Sequence, residues 1–250
     1  MIVPAVVEGF DIVKDFRQGA TKVRALDSVT LTLNAGELTL LMGPSGSGKT
    51  TLLSILGCIL TGTSGTVRIA GETVDGLEPE RLASLRRRHV GFIFQSYNLF
   101  PTLTALENVQ IALDVRGLRW VDIVAKAEAA LDEVGLMHKL QSYPRSLSAG
   151  EQQRVAIARA LAGAPSVILA DEPTAALDSE NGHAVMAVLA KIARSKGRAV
   201  LAVTHDPRTQ AFADRIIHIE DGRIVGEECR TQANDNLAQP PSTRKHADHT

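Results

Sequence analysis

Aromatic residues are scarce in this 250-residue sequence, only 4% of it, so any core must be built mainly from Ala, Val, Leu and Ile. Cysteine is scarcer still. The two present, Cys58 and Cys229, lie far apart without further ligands at zinc spacing, which argues against a zinc site and a disulfide framework. A reduced compartment is expected, with Cys58 in the apolar stretch 52–60 serving as a small buried hydrophobe. No run approaches the roughly 18 apolar residues that cross a bilayer. The start, Met1-Ile2-Val3-Pro4, has no basic region of the kind that opens a signal peptide. The chain is therefore expected in the cytoplasm, serving a membrane only through another subunit. An excess of charge of one sign is missing too. The formal balance is −1, without the basic stripe of a nucleic-acid binder, and no nucleic-acid partner is expected. The one basic cluster, Arg86-Arg87-Arg88-His89, reads as a solvated helix end whose cations complement the helix dipole.

What is present is ordinary for a globular protein: 44% apolar and 22% charged residues. The length allows one large domain or two small ones, with a core that needs no metal or disulfide. The first forty residues read as strands. Residues 29–33 alternate apolar and polar, Gly36 follows in a turn, and residues 38–42 form an apolar run suited to a strand covered on both faces. A helical stretch over 50–60, a strand over 66–70, a helix opened by Pro79 and a strand over 90–94 come next. Residues 98–163 differ, with three helical patterns in a row. Thr104 and Glu107 form one capping box, Ser148 and Glu151 another, and Val121, Val124, Leu131 and Val134 mark the spacing of the helix between. This stretch reads as a helical subdomain. Strand and helix then alternate: a strand over 166–170, a helix over 178–196 stopped by Gly197, and a strand over 199–204. Asp221-Gly222 marks a hairpin. That alternation implies a largely parallel sheet. Beyond about residue 231 the composition is that of a disordered tail.

The run Gly43-Pro44-Ser45-Gly46-Ser47-Gly48-Lys49-Thr50 fits the phosphate-loop pattern. Its glycines let backbone amides approach phosphates, Lys49 neutralises their charge, Thr50 offers a hydroxyl to magnesium, and the helix behind points its positive end at the anion. Such a loop alone does not choose among kinases, GTPases and ATPases. The strand Val167-Ile168-Leu169-Ala170 narrows the choice by delivering Asp171 and Glu172. Asp171 can hold the magnesium through water and Glu172 can orient and deprotonate an attacking water, in a reaction that asks for positioning and charge neutralisation.

The segment Leu147-Ser148-Ala149-Gly150-Glu151-Gln152-Gln153-Arg154 resembles the signature motif of ABC ATPases, and the family's other stations match in order over about residues 6–228. The resemblance implies an α/β fold, an ABC-type P-loop ATPase with a mainly parallel core sheet, an N-terminal antiparallel β region and the helical subdomain, all in one domain over 1–230. It implies ATP and Mg2+ as ligands. Lys49, Gln95 (the glutamine loop), Glu172 and His205 (the switch histidine) take the catalytic roles, and Thr50, Gln95 and Asp171 the metal. Phe16 falls where an aromatic stacks on adenine. The loop residues and Thr51 bind the nucleotide, as do Ser148, Gly150 and Asp178 (the aspartate loop), which the family uses across a head-to-tail dimer. The partner is then a second copy or a related ATPase.

Three positions depart from the family pattern. Ala149 and Glu151 stand at the third and fifth signature positions, where glycine and glutamine are usual, and Phe16 replaces the commoner tyrosine. Ala149 adds a methyl, and Glu151 places negative charge near a phosphate-facing helix end. The segment Phe94-Gln95-Ser96-Tyr97-Asn98-Leu99-Phe100-Pro101 reads either as the groove receiving a permease's coupling helix or as packing beneath the helical subdomain. The whole is similar to the ATPases of macrolide-exporter and lipoprotein-releasing systems. That resemblance implies a subunit powering a separate membrane permease, on the inner face of the cell membrane, for export or for extraction from the membrane. The rival readings are a non-transport ABC ATPase of the DNA-repair or translation kind and a phosphate-loop nucleotide kinase.

Overall fold

The computed structural model describes residues 5–19 and 21–229. The tail expected beyond residue 231 and the opening Met1-Ile2-Val3-Pro4 lie outside the described residues. Two sheets organise the chain. The first is antiparallel, with β1 (Ala5–Gln18), β2 (Thr21–Asn34), β4 (Ser64–Ile69) and β5 (Glu72–Thr73) in the order β2-β1-β4-β5. The second contains β3 (Leu38–Met42), β6 (Val90–Ile93), β7 (Val167–Asp171), β8 (Ala199–Val203), β9 (Arg215–Glu220) and β10 (Arg223–Cys229) in the order β10-β9-β3-β8-β7-β6. Its strands run parallel except the terminal β10, which returns from β9 as a hairpin.

Both faces of the parallel strands are covered, which is why β3 and β8 are buried at every position. Strand periodicity divides them between two cores. Leu38, Leu40 and Met42, with Ile168, Ala170, Val200 and Ala202, face a core built with the helices. Leu41, Leu169, Leu201 and Val203 face a second core formed with the antiparallel sheet and α1 (Lys49–Leu56). The remaining helices are α2 (Pro79–His89), α3 (Ala105–Asp114), α4 (Trp120–Glu133), α5 (Ala149–Leu161) and α6 (Ser179–Lys196). Both expected capping boxes are made, at Thr104–Glu107 and at Ser148–Glu151. Gly197 ends α6 in the left-handed conformation.

Two expectations are corrected. The helix expected over 50–60 ends at Leu56, where Gly57 caps it and Cys58 turns left-handed at φ 56° although the apolar run continues. In α4 the inward face is Ile123, Ala127, Ala130 and Leu131, continued by Val134, while Val121 is 77% exposed. Leu131 and Val134 of the expected pattern are buried, but the stripe begins at Ile123 rather than at Val121 and runs through Ala127 and Ala130. Cys58 is buried as expected, and burial pushes its thiol up to about 11.

Candidate active site

Strands β3, β8, β7 and β6 are adjacent and parallel, so their carboxyl ends open on one edge of the sheet. Val203 fixes the level: it pairs with Leu41 of β3 on one side and with Asp171 of β7 on the other. The glycine-rich loop follows β3, His205 follows β8, the carboxylates end β7, and Gln95 follows β6. One open cleft is lined by Ala25, Ser45, Gly46, Gly48, Lys49, Thr50, Thr51, Gln95, Glu172 and His205.

Two glycines of the loop answer to close packing. A Cβ on Gly43 would lie 2.0 Å from the Ile219 carbonyl oxygen, and one on Gly48, at φ +97°, would lie 2.5 Å from that of Ala25. No other residue fits. Lys49 is only 8% exposed, and its ammonium donates to the carbonyls of Gly43 and Pro44 at 2.8 and 2.7 Å. The first turn of α1 therefore presents a cation and free amides to the cleft.

The Thr50 hydroxyl donates to Asp171 at 3.3 Å, joining α1 to the end of β7. Burial raises the Asp171 carboxyl above its ordinary range, and neighbouring Glu172 adds to this, while the Thr50 hydrogen bond and Lys49 oppose it. A half-buried carboxylate beside a hydroxyl, with excess negative charge next to it, is the donor set a hard cation such as Mg2+ takes. Glu172 has left-handed backbone at φ 47° and is tied by its N–H to Val203 at 3.0 Å. That turn ends the strand. His205 Nδ1 lies 2.8 Å from Glu172 Oε1. With the carboxylate ionised the proton belongs on Nδ1, leaving Nε2 for another partner.

Ser148, Gly150, Asp178 and Phe16 do not line this cleft. Ser148 caps α5 and is exposed, and Gly150 lies buried against α6, where a Cβ would sit 2.4 Å from Asn181 Oδ1. Asn181 in turn donates to Asp178, the cap of α6, through its backbone at 2.9 Å and its side chain at 2.8 Å. The signature and the aspartate loop thus abut through one asparagine that the sequence reading did not single out. Of the signature departures, the methyl of Ala149 is exposed. Glu151 does not carry a free charge: it accepts from Ser148 N–H at 2.8 Å and pairs with Lys139 at 3.2 Å. The Ser148 amide holds its carboxyl below the ordinary range, with Lys139 adding to the effect. Phe16 stands 39% exposed on β1 beneath the Lys14 ammonium, 5.2 Å from the ring centre. Ala25, which does line the cleft, meets the loop through its carbonyl, so nothing in its side chain could have announced it.

After Gln95 the chain makes two successive left-handed residues, Tyr97 and Asn98. Arg159 of α5 holds their carbonyls, bonding Tyr97 O at 2.7 Å and also Asn98 O. Leu99 packs on the helical core while Phe100 is 48% exposed.

Residues 26–175 match the model of a family described as ABC transporter. The macrolide export ATP-binding/permease protein MacB of Escherichia coli (strain K12) is 47% identical over 215 residues, covering 86% of this chain and 33% of that protein. The protein of the same name from Shigella boydii serotype 4 is 48% identical over the same length. The chain thus spans about a third of the length of these curated relatives. Among solved structures, the dimeric post-hydrolysis state of the ATP-binding cassette MJ0796 bound to ADP and Pi is similar, at TM-score 0.81 and 40% identity, covering 89% of this chain and 98% of that one. The cbiO1 protein of Clostridium perfringens, part of the ABC transporter complex cbiONQ, has TM-score 0.81 at 26% identity, covering 89% and 88%.

Proposed function

We propose a function from a settled premise: this chain belongs to the ABC transporter family. Within it the chain is the ATP-binding and ATP-hydrolysing cassette, and it powers a membrane permease of export or extraction type. One observation carries the reading. Lys49, Thr50, Gln95, Glu172 and His205, drawn from the ends of four adjacent parallel strands, converge on a single cleft.

The chemistry follows from that convergence. The amides of the 43–50 loop and the Lys49 ammonium bind the β- and γ-phosphates of ATP. Thr50 and Asp171, with Gln95, hold Mg2+, which when bound neutralises charge on the phosphate oxygens. Glu172 orients a water for in-line attack and accepts its proton. His205 holds the Glu172 carboxylate in place through Nδ1 and offers its other nitrogen to the γ-phosphate. Phe16 stacks on the adenine.

The second half of each site comes from another cassette. Ser148 is exposed at the start of α5, Gly150 behind it is packed on Asn181, which Asp178 holds, and the MJ0796 cassette to which this chain is similar is dimeric. A homodimer, or a dimer with a related ATPase, closed head to tail around two ATP molecules, uses both the cleft and the start of α5. The permease docks at residues 95–101, where Phe100, five residues after Gln95, is exposed. Among the described residues no helix is long and apolar enough to cross a membrane, so the membrane-spanning part is supplied from outside them, and the cassette sits on the inner face of the cell membrane.

Purified chain should hydrolyse ATP with magnesium, Lys49→Ala should bind none, and affinity purification from membranes should recover an integral protein that stimulates the hydrolysis. Recovery of ribosomes or duplex DNA instead would sink the transport reading.

A further inference from the structure

The nucleotide-facing side of the glycine-rich loop is accounted for above, but its other flank is held just as closely. The Asp221-Gly222 turn between β9 and β10 reaches it directly. Gly222 N–H donates to the Ser47 carbonyl at 3.1 Å, and the Gly222 carbonyl accepts from Asp27 N–H of β2 at 2.9 Å. The turn cannot carry another residue easily. Gly222 has φ +75°, and a Cβ there would lie 2.7 Å from the Ala25 carbonyl oxygen. Ile219 just before the turn closes on Gly43, and Ala25 closes on Gly48. An outer ion pair between Arg223 and Asp27, which also holds Arg24 at 2.9 Å, ties the turn to the same stretch of β2.

The consequence lies in the peptide between Ser47 and Gly48. A trans peptide points its C=O and its N–H to opposite sides. Fixing the Ser47 carbonyl outward, onto Gly222, therefore aims the Gly48 N–H the other way, and Gly48 lines the cleft. We propose that Gly222 is a positioning residue for the ATP phosphates, acting through the Ser47–Gly48 peptide, with the Arg223–Asp27 pair holding its turn in place. The inference rests on the ATP-binding reading above and adds a group that touches no nucleotide.

The test is ATP affinity by calorimetry together with steady-state kinetics on the full chain. Gly222→Ala should weaken ATP binding about five- to tenfold, the size of one lost hydrogen bond, and raise KM by as much. Its kcat at saturation should stay within about twofold, the signature of lost ground-state positioning rather than lost chemistry. Arg223→Ala should weaken binding by a smaller factor, about twofold to fivefold, and Arg223→Lys should restore it, which a general loss of packing would not allow. A melting curve establishes that each variant folds, and if Gly222→Ala does not, the Arg223 pair decides. Unchanged affinity in the folded variants, while wild type binds ATP and Lys49→Ala does not, overturns the positioning role alone. A wild type that binds no ATP overturns the ATP reading and this inference together.

Discussion

His205 Nδ1 and Glu172 Oε1 stand 2.8 Å apart although 33 positions separate them in the chain. The contact exists because β7 and β8 are neighbours in register, β7 ending one residue before Glu172 and β8 ending two before His205. The left-handed turn at Glu172 then sends its carboxylate toward the strand that carries the histidine.

Glu172→Gln keeps the shape of that contact and removes the base. Hydrolysis should fall by about 10²- to 10⁴-fold while ATP binding persists, so an ATP-bound dimer should accumulate and elute early on gel filtration. A variant that still hydrolyses at the wild-type rate would remove Glu172 from the role of base, and one that stays monomeric with ATP and magnesium would count against a site composed from two cassettes without the membrane partner.

Asp171 is placed at a cost to stability. Burial raises its carboxyl, so the folded state disfavours the ionised form relative to the unfolded chain. The penalty is present above the folded-state value and disappears as pH falls below the unfolded one. Asp171→Asn should therefore raise the melting temperature of the nucleotide-free chain at neutral pH, with the gain shrinking toward pH 4. The same variant should lose magnesium-dependent ATP binding. A melting temperature that drops at neutral pH would refute the burial argument.

Much of this site could be read from the residues alone, because its parts are local signals. The loop at 43–50, the strand feeding Asp171 and both capping boxes depend on neighbours within a few positions. The contacts that could not be read cross between distant segments and use backbone atoms. Ala25 meets Gly48 through a carbonyl, Gly222 meets Ser47 through an amide, and Asn181 fills the space left by the missing side chain of Gly150. On α4 the second half of the stripe, Leu131 and Val134, is legible, whereas its first half is not, because Val121 is exposed and Ile123, Ala127 and Ala130 take the inward positions.

Glu151 supplies a measurable part of the stability of α5. Glu151→Ala breaks one arm of the capping box and the Lys139 pair, which should cost about 1 kcal/mol. Glu151→Gln retains the cap and should cost less. The Glu151 carboxyl is held below its ordinary range, so its contribution is present above the unfolded-state value and is lost as pH falls through the folded one. The melting-temperature gap between wild type and Glu151→Ala should narrow in acid. A gap that widens there would contradict the assignment of the carboxylate to the Ser148 amide.

Arg159 connects the two halves of the transport proposal. It stands on the helix that begins with the signature, and it holds the carbonyls of Tyr97 and Asn98 just after Gln95. Both residues are left-handed, at φ 58° and 49°, a conformation that costs a non-glycine residue energy and persists only when neighbours impose it. A guanidinium can bond both carbonyls at once, whereas an ammonium acts as a point donor. Arg159→Lys should therefore restore only part of what Arg159→Leu loses, and the loss should be about 1.5–3 kcal/mol of stability for charged hydrogen bonds. If residues 95–101 receive the permease, Arg159→Leu should also abolish stimulation of ATPase activity by the membrane partner while leaving the unstimulated rate within about threefold. Stimulation that survives in the folded variant would separate this segment from docking and return Leu99 and Phe100 to a packing role.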